Sequence, residues 1–379
     1  MSDDREILDT IEAFLKRDVV QHVHALEQSD TWPEAIVGQM RELGLFGAMI
    51  APEYGGLGLP CATYAAIVER IARVWMSLTG IFNSHLIMAA AVQRHGTEAQ
   101  KREFLPRFAS GEIRGGLALT EPDCGTDLQA IRTTARREGE HYVVNGTKTW
   151  ISNGIHGSCF ALLVKTDPHA EPRHRGMSLL LAEKGPGFTV SRKLHKLGYK
   201  GIDSAELVFQ DYLVPVDRLI GGVEGMGLKH ALSGLELGRI NVASRGVGVA
   251  QAALDEAVRY AQIRKTFGKP IAQHQAIALK LADMATRTEA ARLLTRRAAE
   301  MYDSGARCDM EAGMAKLFAT EAALENATEA MRVHGGYGYS TEFPVERLYR
   351  DAPLLVIGEG TNELQRLIIA RQLIARNPA

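Results

Sequence analysis

An acidic side chain stands between two glycines in the stretch Val356-Ile357-Gly358-Glu359-Gly360-Thr361-Asn362-Glu363-Leu364-Gln365-Arg366. Apolar residues fill positions 353–357 before it, and they return after it at helical spacing, at Leu364, Leu367, Ile368, Leu373 and Ile374. This pattern predicts that Glu359 lies on a glycine-flanked loop directly before a helix. Glycine lets a backbone approach a ligand closely, and a helix start offers free N–H groups to an anion.

Two interpretations of Glu359 follow from this placement. A carboxylate held in an apolar crevice is a stronger base than one in water, which is the property of a catalytic base. An acidic residue at a helix start also stabilises the helix dipole without any catalytic role. The stretch alone favours the second interpretation, and the remaining motifs of the chain reverse that preference.

The composition is that of an ordinary globular protein. Of its 379 residues, 46% are hydrophobic and 23% are charged, which is ample for two or three domains with cores of their own. The net charge of −1 gives no electrostatic reason to expect nucleic acid or an anionic membrane as a partner. No apolar run approaches the length that spans a membrane, so we expect no membrane insertion.

Cysteine usage and the N-terminal residues indicate a reducing compartment. The four cysteines are scattered without a CxxC pair, so they predict neither a metal site nor a disulfide framework. Residues 1–6 are polar and acidic, unlike a signal or transit peptide. We therefore expect a cytoplasmic protein without a bound metal ion.

Hydrophobic spacing divides the chain into three parts. Residues 1–112 read as an N-terminal helical domain. Residues 113–222 hold short apolar runs with turn signals between them, which is typical of a small central β-barrel or sandwich. Residues 223–379 are helical again, and long helices with short connections predict a C-terminal four-helix bundle. The expected fold class is therefore α+β and mainly α, with a ligand cleft where the three parts meet.

Three local patterns lead to more detailed expectations. Residues 62–78 and 82–94 read as two separate helices. Residues 141–151 read as a β-hairpin with its tight turn at Asn145-Gly146. In the last part, Met314, Leu317 and Phe318 belong to an apolar helical stripe, which we assign to the core.

Four stretches carry polar or glycine-rich motifs in contexts that suit a ligand. They are 117–127 (LALTEPDCGTD), 145–154 (NGTKTWISNG), 264–268 (RKTFG) and 359–361 (EGT). With these motifs in this order, the chain closely resembles the flavin-dependent acyl-CoA dehydrogenases over nearly its whole length. The resemblance implies FAD, an acyl-CoA substrate, α,β-desaturation and a homotetramer built as a dimer of dimers. It also implies that electrons leave to an electron-transfer flavoprotein.

The resemblance implies a set of FAD contacts spread over the motifs. They are Leu119, Thr120, Thr126, Trp150, Ile151, Ser152, Arg264, Thr266, Phe267, Gln275, Arg332, Gly335, Gly336, Thr361 and Asn362. An indole offers a flat, rigid surface to a flavin edge, and an arginine fork binds phosphate oxygens. In the family, the Arg264 loop and Gln275 reach the FAD of a neighbouring subunit. Arg332 stands where the family commonly has Gln, so the usual amide contact is missing.

The resemblance also implies the catalytic and substrate-binding residues. Glu359 matches the common position of the base, which removes a proton from Cα while a hydride leaves Cβ for the flavin. Some branched-chain members carry the base on a bundle helix instead, at the position that Gly238 matches here. Glu236 lies two residues before that position and is the weaker candidate. The implied substrate contacts are Thr126, Glu236, Arg239 and Gly360.

The residue before the base bears on the acyl group. Gly358 stands where straight-chain members carry Tyr, so we expect more room beside the reacting carbons, for a short, branched or cyclic acyl group. Other functions stay open. An acyl-CoA oxidase would pass electrons to oxygen, and some biosynthetic relatives act on acyl groups bound to a carrier protein. A non-enzymatic flavoprotein is disfavoured by the intact Glu359.

Overall fold

The computed structural model describes residues 2–378 of the chain. Helices dominate it. They are α1 (Ser2–Phe14), α2 (Val20–Gln28), α3 (Glu34–Glu42), α4 (Cys61–His95), α5 (Glu98–Ala109), α6 (Gly227–Ser233), α7 (Leu235–Ile263), α8 (Gln275–Asp303), α9 (Asp309–His334), α10 (Val345–Ile357) and α11 (Asn362–Arg376). The strands lie mainly between α5 and α6. They are β1 (Gly115–Ala118), β2 (Thr134–Glu138), β3 (His141–Ser152), β4 (Cys159–Lys165), β5 (Met177–Glu183), β6 (Phe188–Lys193), β7 (Ser204–Pro215), β8 (Lys265–Thr266) and β9 (Lys269–Pro270).

Helix α4 consists of two helical segments joined at a kink at Trp75, whose φ of −155° and ψ of 104° are not helical. The sequence predicted two helices but placed the break at residues 79–81, where the chain runs on as a helix through Gly80. A Cβ added at Gly80 would lie 1.5 Å from the Tyr199 hydroxyl, so the glycine serves close packing and does not end the helix. Helix α4 is long and apolar enough to cross a membrane, yet 83% of its most apolar window is buried inside the protein. Such extensive burial is typical of a helix in the hydrophobic core of a protein.

The central part is a single curled sheet. Seven strands pair in the order β1-β4-β2-β3-β7-β6, and β5 pairs with β4. The hairpin predicted at Asn145-Gly146 is wrong, because β3 runs through this point as one strand paired along its length with β7. Asn145 lies at a bulge, where the pairing register shifts between Val144 and Gly146. Gly146 allows a close approach to Thr133, whose Oγ1 lies 2.4 Å from the position of an added Cβ.

The C-terminal helices form the bundle that the sequence predicted. Helices α7, α8 and α9 pack against one another, α10 and α11 pack on α9, and α4 packs on α7. Helix α9 therefore has neighbours on several sides, and it buries alanines where larger side chains would not fit. These are Ala312, Ala315, Ala319, Ala322, Ala323, Ala327 and Ala330. The predicted stripe was wrong in detail, since Met314 and Leu317 are half-buried and Phe318 is exposed.

Candidate active site

Glu359 sits on a left-handed turn between α10 and α11. Its φ is +57°, and that of Gly360 is +84°, so the chain reverses within two residues. A non-glycine residue in this region is uncommon, and such strain concentrates at functional sites. The turn directs the carboxylate toward α7, where Oε2 lies 2.9 Å from the position of a Cβ added at Gly238. The absence of a side chain at Gly238 therefore makes room for the Glu359 carboxylate.

Lys316 of α9 fixes this turn through hydrogen bonds. Its side chain is fully buried, and Nζ donates to the Gly360 carbonyl at 2.9 Å and to Asn362 Oδ1 at 2.8 Å. Nζ also lies 3.4 Å from the Val356 carbonyl, so one ammonium group connects the end of α10 with the start of α11. Sequence reasoning missed this residue. The available signal was a lone lysine among the small residues of α9.

The two predicted cofactor residues of this turn are engaged within the protein. Thr361 is the N-cap of α11, and its hydroxyl accepts the Leu364 N–H at 3.4 Å. Asn362 is buried, and its Nδ2 donates to Thr320 Oγ1 at 3.0 Å and to Glu321 Oε1 at 2.9 Å. The side chain of Asn362 therefore faces the bundle, and a contact from this position to a cofactor would have to come from its backbone.

The surroundings of Glu359 act on its pKa in opposite directions, and the net effect raises it. Burial raises the pKa of Glu359 above its ordinary value, and the positive charges of Arg245, Lys316 and Arg239 oppose that rise. Burial also lowers the pKa of Lys316 to about 8, against the pull of the Glu359 carboxylate. Desolvation makes a carboxylate a better proton acceptor, and the three cations limit how far its pKa rises.

A second carboxyl pair lies near the start of α7. Glu236 shares a hydrogen bond with Asp309, and burial together with this partner raises the pKa of Glu236 to about 7. The pKa of Asp309 is lowered, first by that hydrogen bond, so the shared proton resides on Glu236. Arg239 interacts with this pair and with Glu359, and burial lowers its pKa. Its Nε is buried without a hydrogen-bond partner in the described part of the chain.

The first two motifs meet at one edge of the sheet. The Thr149 N–H donates to the Thr120 carbonyl at 2.9 Å, which places the segment after β1 beside β3. The fully buried Lys148 reinforces the junction, because its Nζ donates to the Leu119 carbonyl at 2.9 Å and to Glu121 Oε1 at 2.8 Å. Lys148 lies inside a motif that the sequence singled out, but its role as a support was missed.

Trp150 is the most exposed apolar group of this edge. Its side chain is 58% exposed and its φ is +60°, so the indole projects from the strand. Ile151 is buried behind it, Ser152 is partly exposed, and Thr126 is exposed on the loop after β1. The structure thus brings the predicted residues of both motifs to one surface, with a flat ring and several polar groups.

The third motif forms a short hairpin at one end of the bundle. Arg264 follows the last residue of α7, Thr266 ends β8, and Phe267 lies in the turn between β8 and β9. Helix α8 then begins at the exposed Gln275. The ring of Phe267 is 98% exposed. The guanidinium carbon of Arg264 lies 5.9 Å from the centre of the Tyr337 ring.

Gly335 and Gly336, two of the implied FAD contacts, lie at this same end of the bundle, because Tyr337 is beside Arg264. Gly335 and Gly336 directly precede Tyr337 and are both exposed. Gly335 has a φ of +61°, a conformation that glycine adopts at little cost. Arg332 is turned to its own helix, where its Nη1 donates to Glu329 Oε1 at 2.6 Å. Its predicted contact with a cofactor stays a prediction.

Comparisons with known proteins identify the family. Models described as the N-terminal, middle and C-terminal domains of acyl-CoA dehydrogenase match residues 1–112, 116–212 and 225–374. The chain belongs to the acyl-CoA dehydrogenase family. Members of this family are FAD-dependent oxidoreductases, so the chain is an enzyme with FAD as its cofactor.

Individual acyl-CoA dehydrogenases are similar to the chain over nearly all of its length. It is 41% identical over 363 residues to an acyl-CoA dehydrogenase of Bacillus subtilis (strain 168), with 95% of each chain covered. It is 41% identical over 371 residues to the human mitochondrial short-chain specific acyl-CoA dehydrogenase, covering 97% of this chain and 89% of that protein. It superposes at a TM-score of 0.96 and 36% identity on a chain from the structure of the electron transferring flavoprotein of Acidaminococcus fermentans, covering 99% and 98%.

The residues at the sheet edge fit a flavin. An exposed indole is a poor surface group unless an apolar partner covers it, and Trp150 offers such a face. The partly exposed Thr120 and Ser152 hydroxyls beside it donate and accept hydrogen bonds, as the heteroatoms of an isoalloxazine edge require. Arg264, which lies at one end of the helical bundle, has the fork of N–H donors that binds a pyrophosphate.

Proposed function

We propose that this acyl-CoA dehydrogenase desaturates a short or branched acyl-CoA between Cα and Cβ, with Glu359 as the base. The observation that carries the proposal is the left-handed turn that aims the Glu359 carboxylate at Gly238, in a buried setting that raises its pKa. A base for an α proton needs this combination of fixed geometry and tuned basicity. When bound, FAD supplies the hydride acceptor.

Several residues of the chain assist proton removal by Glu359. Lys316 fixes the turn through the Gly360 carbonyl and Asn362, so the carboxylate is held before substrate arrives. Preorganised groups of this kind cost no reorganisation at the moment of reaction. Arg239 adds a positive charge beside the base, and its buried, unpaired Nε is a free donor for a polar part of the substrate.

A short or branched acyl group is supported by two observations. A Cβ added at Gly358 would meet only Leu354 within 4 Å, so this position leaves space beside the base. The similarity to the human short-chain specific enzyme points the same way. Relative turnover of butyryl-CoA and isobutyryl-CoA tests the branched case, and a strong preference for butyryl-CoA would count against it.

We further propose that an electron-transfer flavoprotein accepts the electrons. The close structural similarity to a chain from the Acidaminococcus fermentans electron transferring flavoprotein structure supports this partner. Rapid reoxidation of the substrate-reduced enzyme by such a flavoprotein, and slow reoxidation by oxygen, is the expected result. Fast oxygen consumption during turnover would instead assign the protein to the oxidases.

The proposed assembly is a homotetramer. Large apolar side chains are exposed on α8 and α11, which is costly unless another subunit covers them. They include Leu279 and Leu293 at 59% each, Leu367 at 64% and Ile374 at 73%. Light scattering after size exclusion should give about four times the mass of one chain.

Anaerobic titration of the purified protein with a panel of acyl-CoA esters tests the proposed reaction. Bleaching of the flavin absorbance by one or a few esters would establish the reductive half-reaction. FAD-loaded protein that no CoA ester bleaches would contradict the CoA-dependent activity. The same titration with acylated carrier protein would then identify a carrier-bound substrate.

A further inference from the structure

Arg245 of α7 is a buried cation that the proposed reaction leaves without an anionic partner. The residue is 5% exposed, and within residues 2–378 it forms no ion pair. Its hydrogen bonds go to neutral oxygens, from Nε to Asn241 Oδ1 at 2.6 Å and from Nη1 to the Tyr199 hydroxyl at 2.9 Å. A guanidinium has five N–H donors, so part of its bonding capacity stays unused, and the carboxylate that acts on its charge is that of Glu359, which is not hydrogen-bonded to it.

Neutral polar side chains connect this arginine with α4. Asn241 Nδ2 donates to the Tyr64 hydroxyl at 2.7 Å, and that hydroxyl donates to Asn83 Oδ1 at 3.2 Å. Asn83 is fully buried, and its Nδ2 has no hydrogen-bond partner in the described part of the chain. We name Tyr64, Asn83, Tyr199, Asn241 and Arg245 the distal polar cluster. It holds a second unsatisfied donor in addition to the guanidinium.

The distal polar cluster lies on the same face of α7 as the base. Asn241 and Arg245 follow Gly238 by three and seven residues, and such spacings share one helical face. Helical side chains lean toward the N-terminus, so the guanidinium of Arg245 reaches back to about one turn, roughly 5.4 Å, beyond Gly238. In agreement with this position, Arg245 is the cation that most strongly opposes the rise in the pKa of Glu359.

The other charges around the cluster do not neutralise Arg245. Asp351 accepts the Tyr199 N–H at 2.5 Å and burial raises its pKa to about 6, but the cations that act on this carboxyl group are Arg347 and Arg350. Lys316 and Arg239 are further cations that face Glu359. The region beyond the base therefore has an excess of positive charge.

We propose that Arg245 binds a carboxylate at the far end of the acyl group, so that the substrate is a short dicarboxylic acyl-CoA. This inference rests on the proposed function, which places the acyl chain beside Glu359. Arg245 can give a carboxylate two parallel hydrogen bonds, and Asn83 Nδ2 supplies a further donor on the opposite helix. The distance of about one helical turn from the base suits a chain of about four or five carbons. A neutral chain would place a methyl group against an unpaired guanidinium, which such a site rejects.

The test compares carboxylated and neutral esters of similar length. For the wild-type enzyme we expect kcat/KM with glutaryl-CoA or succinyl-CoA, or their methyl-branched forms, to exceed that with butyryl-CoA or isobutyryl-CoA by about 100-fold or more. Arg245→Gln should lose about 10²–10³-fold on the carboxylated esters and less than about tenfold on the neutral ones. Arg245→Lys, which retains the charge but not the fork, should fall between the two.

One control and one contrary outcome complete the test of Arg245→Gln. Arg136→Gln removes an exposed arginine of the sheet and should change neither ester class. An equal loss on both classes in Arg245→Gln would mean that Arg245 only tunes Glu359, and would overturn the inference.

The wild-type preference separates this inference from the proposed function. A wild-type enzyme that bleaches with neutral esters but not with carboxylated ones overturns the inference and leaves the proposed function intact. Bleaching by no CoA ester overturns both. Circular dichroism and FAD content establish whether Arg245→Gln folds. If it does not, the wild-type preference and Arg245→Lys give the answer.

Discussion

Two half-buried carboxyl groups act on Arg239, and desolvation raises the pKa of both, yet their surroundings differ. Glu359 stands on a strained left-handed turn, and three cations oppose the rise in its pKa. Glu236 lies within a regular helix, and a second carboxyl group, Asp309, adds to the rise in its pKa. The like-charged neighbour of Glu236 therefore helps to raise its pKa to about 7, whereas the cations around Glu359 oppose the rise in pKa that burial causes.

The comparison shows that a raised pKa alone does not identify a base. What distinguishes Glu359 is where its carboxylate points and what holds it there. Its Oε2 faces the space at Gly238, and Lys316 clamps the turn behind it. The proton of Glu236 is already engaged in a hydrogen bond to Asp309. A carboxyl group that donates to a neighbour is a poor acceptor for a substrate proton.

The largest expected effect comes from removing the two carboxylates separately. Glu359→Gln should lower kcat by about 10⁴-fold, because the amide keeps the shape of the side chain but cannot accept the α proton. Glu236→Gln should stay within about tenfold of wild type, because a neutral side chain at this position resembles the protonated acid. Stopped-flow flavin reduction measures both variants, with FAD content as the check on folding. A Glu359→Gln enzyme close to wild type would return the assignment to Glu236.

The next largest effect is expected from removing Lys316, which fixes the turn that carries Glu359. Lys316→Met leaves the Gly360 carbonyl and Asn362 Oδ1 buried without their donor, which should cost about 3 kcal/mol of the free energy of unfolding. We expect kcat to fall by about 10–100-fold with little change in KM, because the carboxylate loses its fixed position and one of the three cations that act on its pKa. Steady-state kinetics and denaturant unfolding measure the two effects.

A matched lysine variant shows whether the clamp is specific. Lys101 forms an exposed ion pair with Glu98 on α5, and such pairs contribute at most about 1 kcal/mol. Lys101→Met should therefore leave kcat unchanged and stability nearly so. If Lys316→Met behaved like Lys101→Met, the turn would be rigid without its lysine, and the positioning role would be lost.

A smaller effect is expected from filling the space that receives the base. In Gly238→Ala the new Cβ would lie 2.9 Å from Glu359 Oε2, so the carboxylate must shift by a few tenths of an ångström. We expect about a tenfold loss of kcat, since small displacements of a base weaken proton transfer. Gly313→Ala is the control, because its Cβ would meet its nearest atom, Ile369 Cγ1, at an ordinary 3.4 Å. Equal kinetics in the two variants would show that Gly238 plays no part in placing the base.

The sequence was informative where local chemistry decides the structure. The glycine-flanked Glu359, the loop after Arg264 and the long helices of the bundle all follow from turn residues and periodicity. It misled at Asn145-Gly146, where the signal of a tight turn marks a bulge, because β7 pairs with both halves of β3. The same limitation applies to α9, whose alanine face is buried only because several helices surround it.

The supports of the site lay beyond sequence reasoning for a related reason. Lys316, Lys148 and Arg245 are buried cations whose partners are distant along the chain. A lysine or arginine in a sequence predicts a solvated surface, and only tertiary packing shows that it is enclosed. The sequence therefore shows that these cations are present, but it does not show which groups they bind.

The smallest expected effect concerns stability rather than rate, and it isolates the Glu236–Asp309 pair. The pKa of Glu236 is raised from 4.5 to about 7 in the folded protein. Between these values the folded state keeps a proton that the unfolded chain has lost, so stability falls as pH rises through this window. Glu236→Gln removes this dependence. Its melting temperature relative to wild type should therefore rise between pH 5 and pH 8, by about 2 °C or more.

The pH dependence of this difference in melting temperature should be specific to the Glu236–Asp309 pair. The pKa of Asp309 is lowered below 3.8, so its contribution changes only at pH values below the window. Glu300→Gln, which removes an exposed carboxylate of α8, should show no trend with pH. Differential scanning calorimetry at pH 5, 6, 7 and 8 gives the three curves. A flat difference for Glu236→Gln would mean that Glu236 is ionised throughout, and the contrast with Glu359 would then rest on the position of the carboxylate alone.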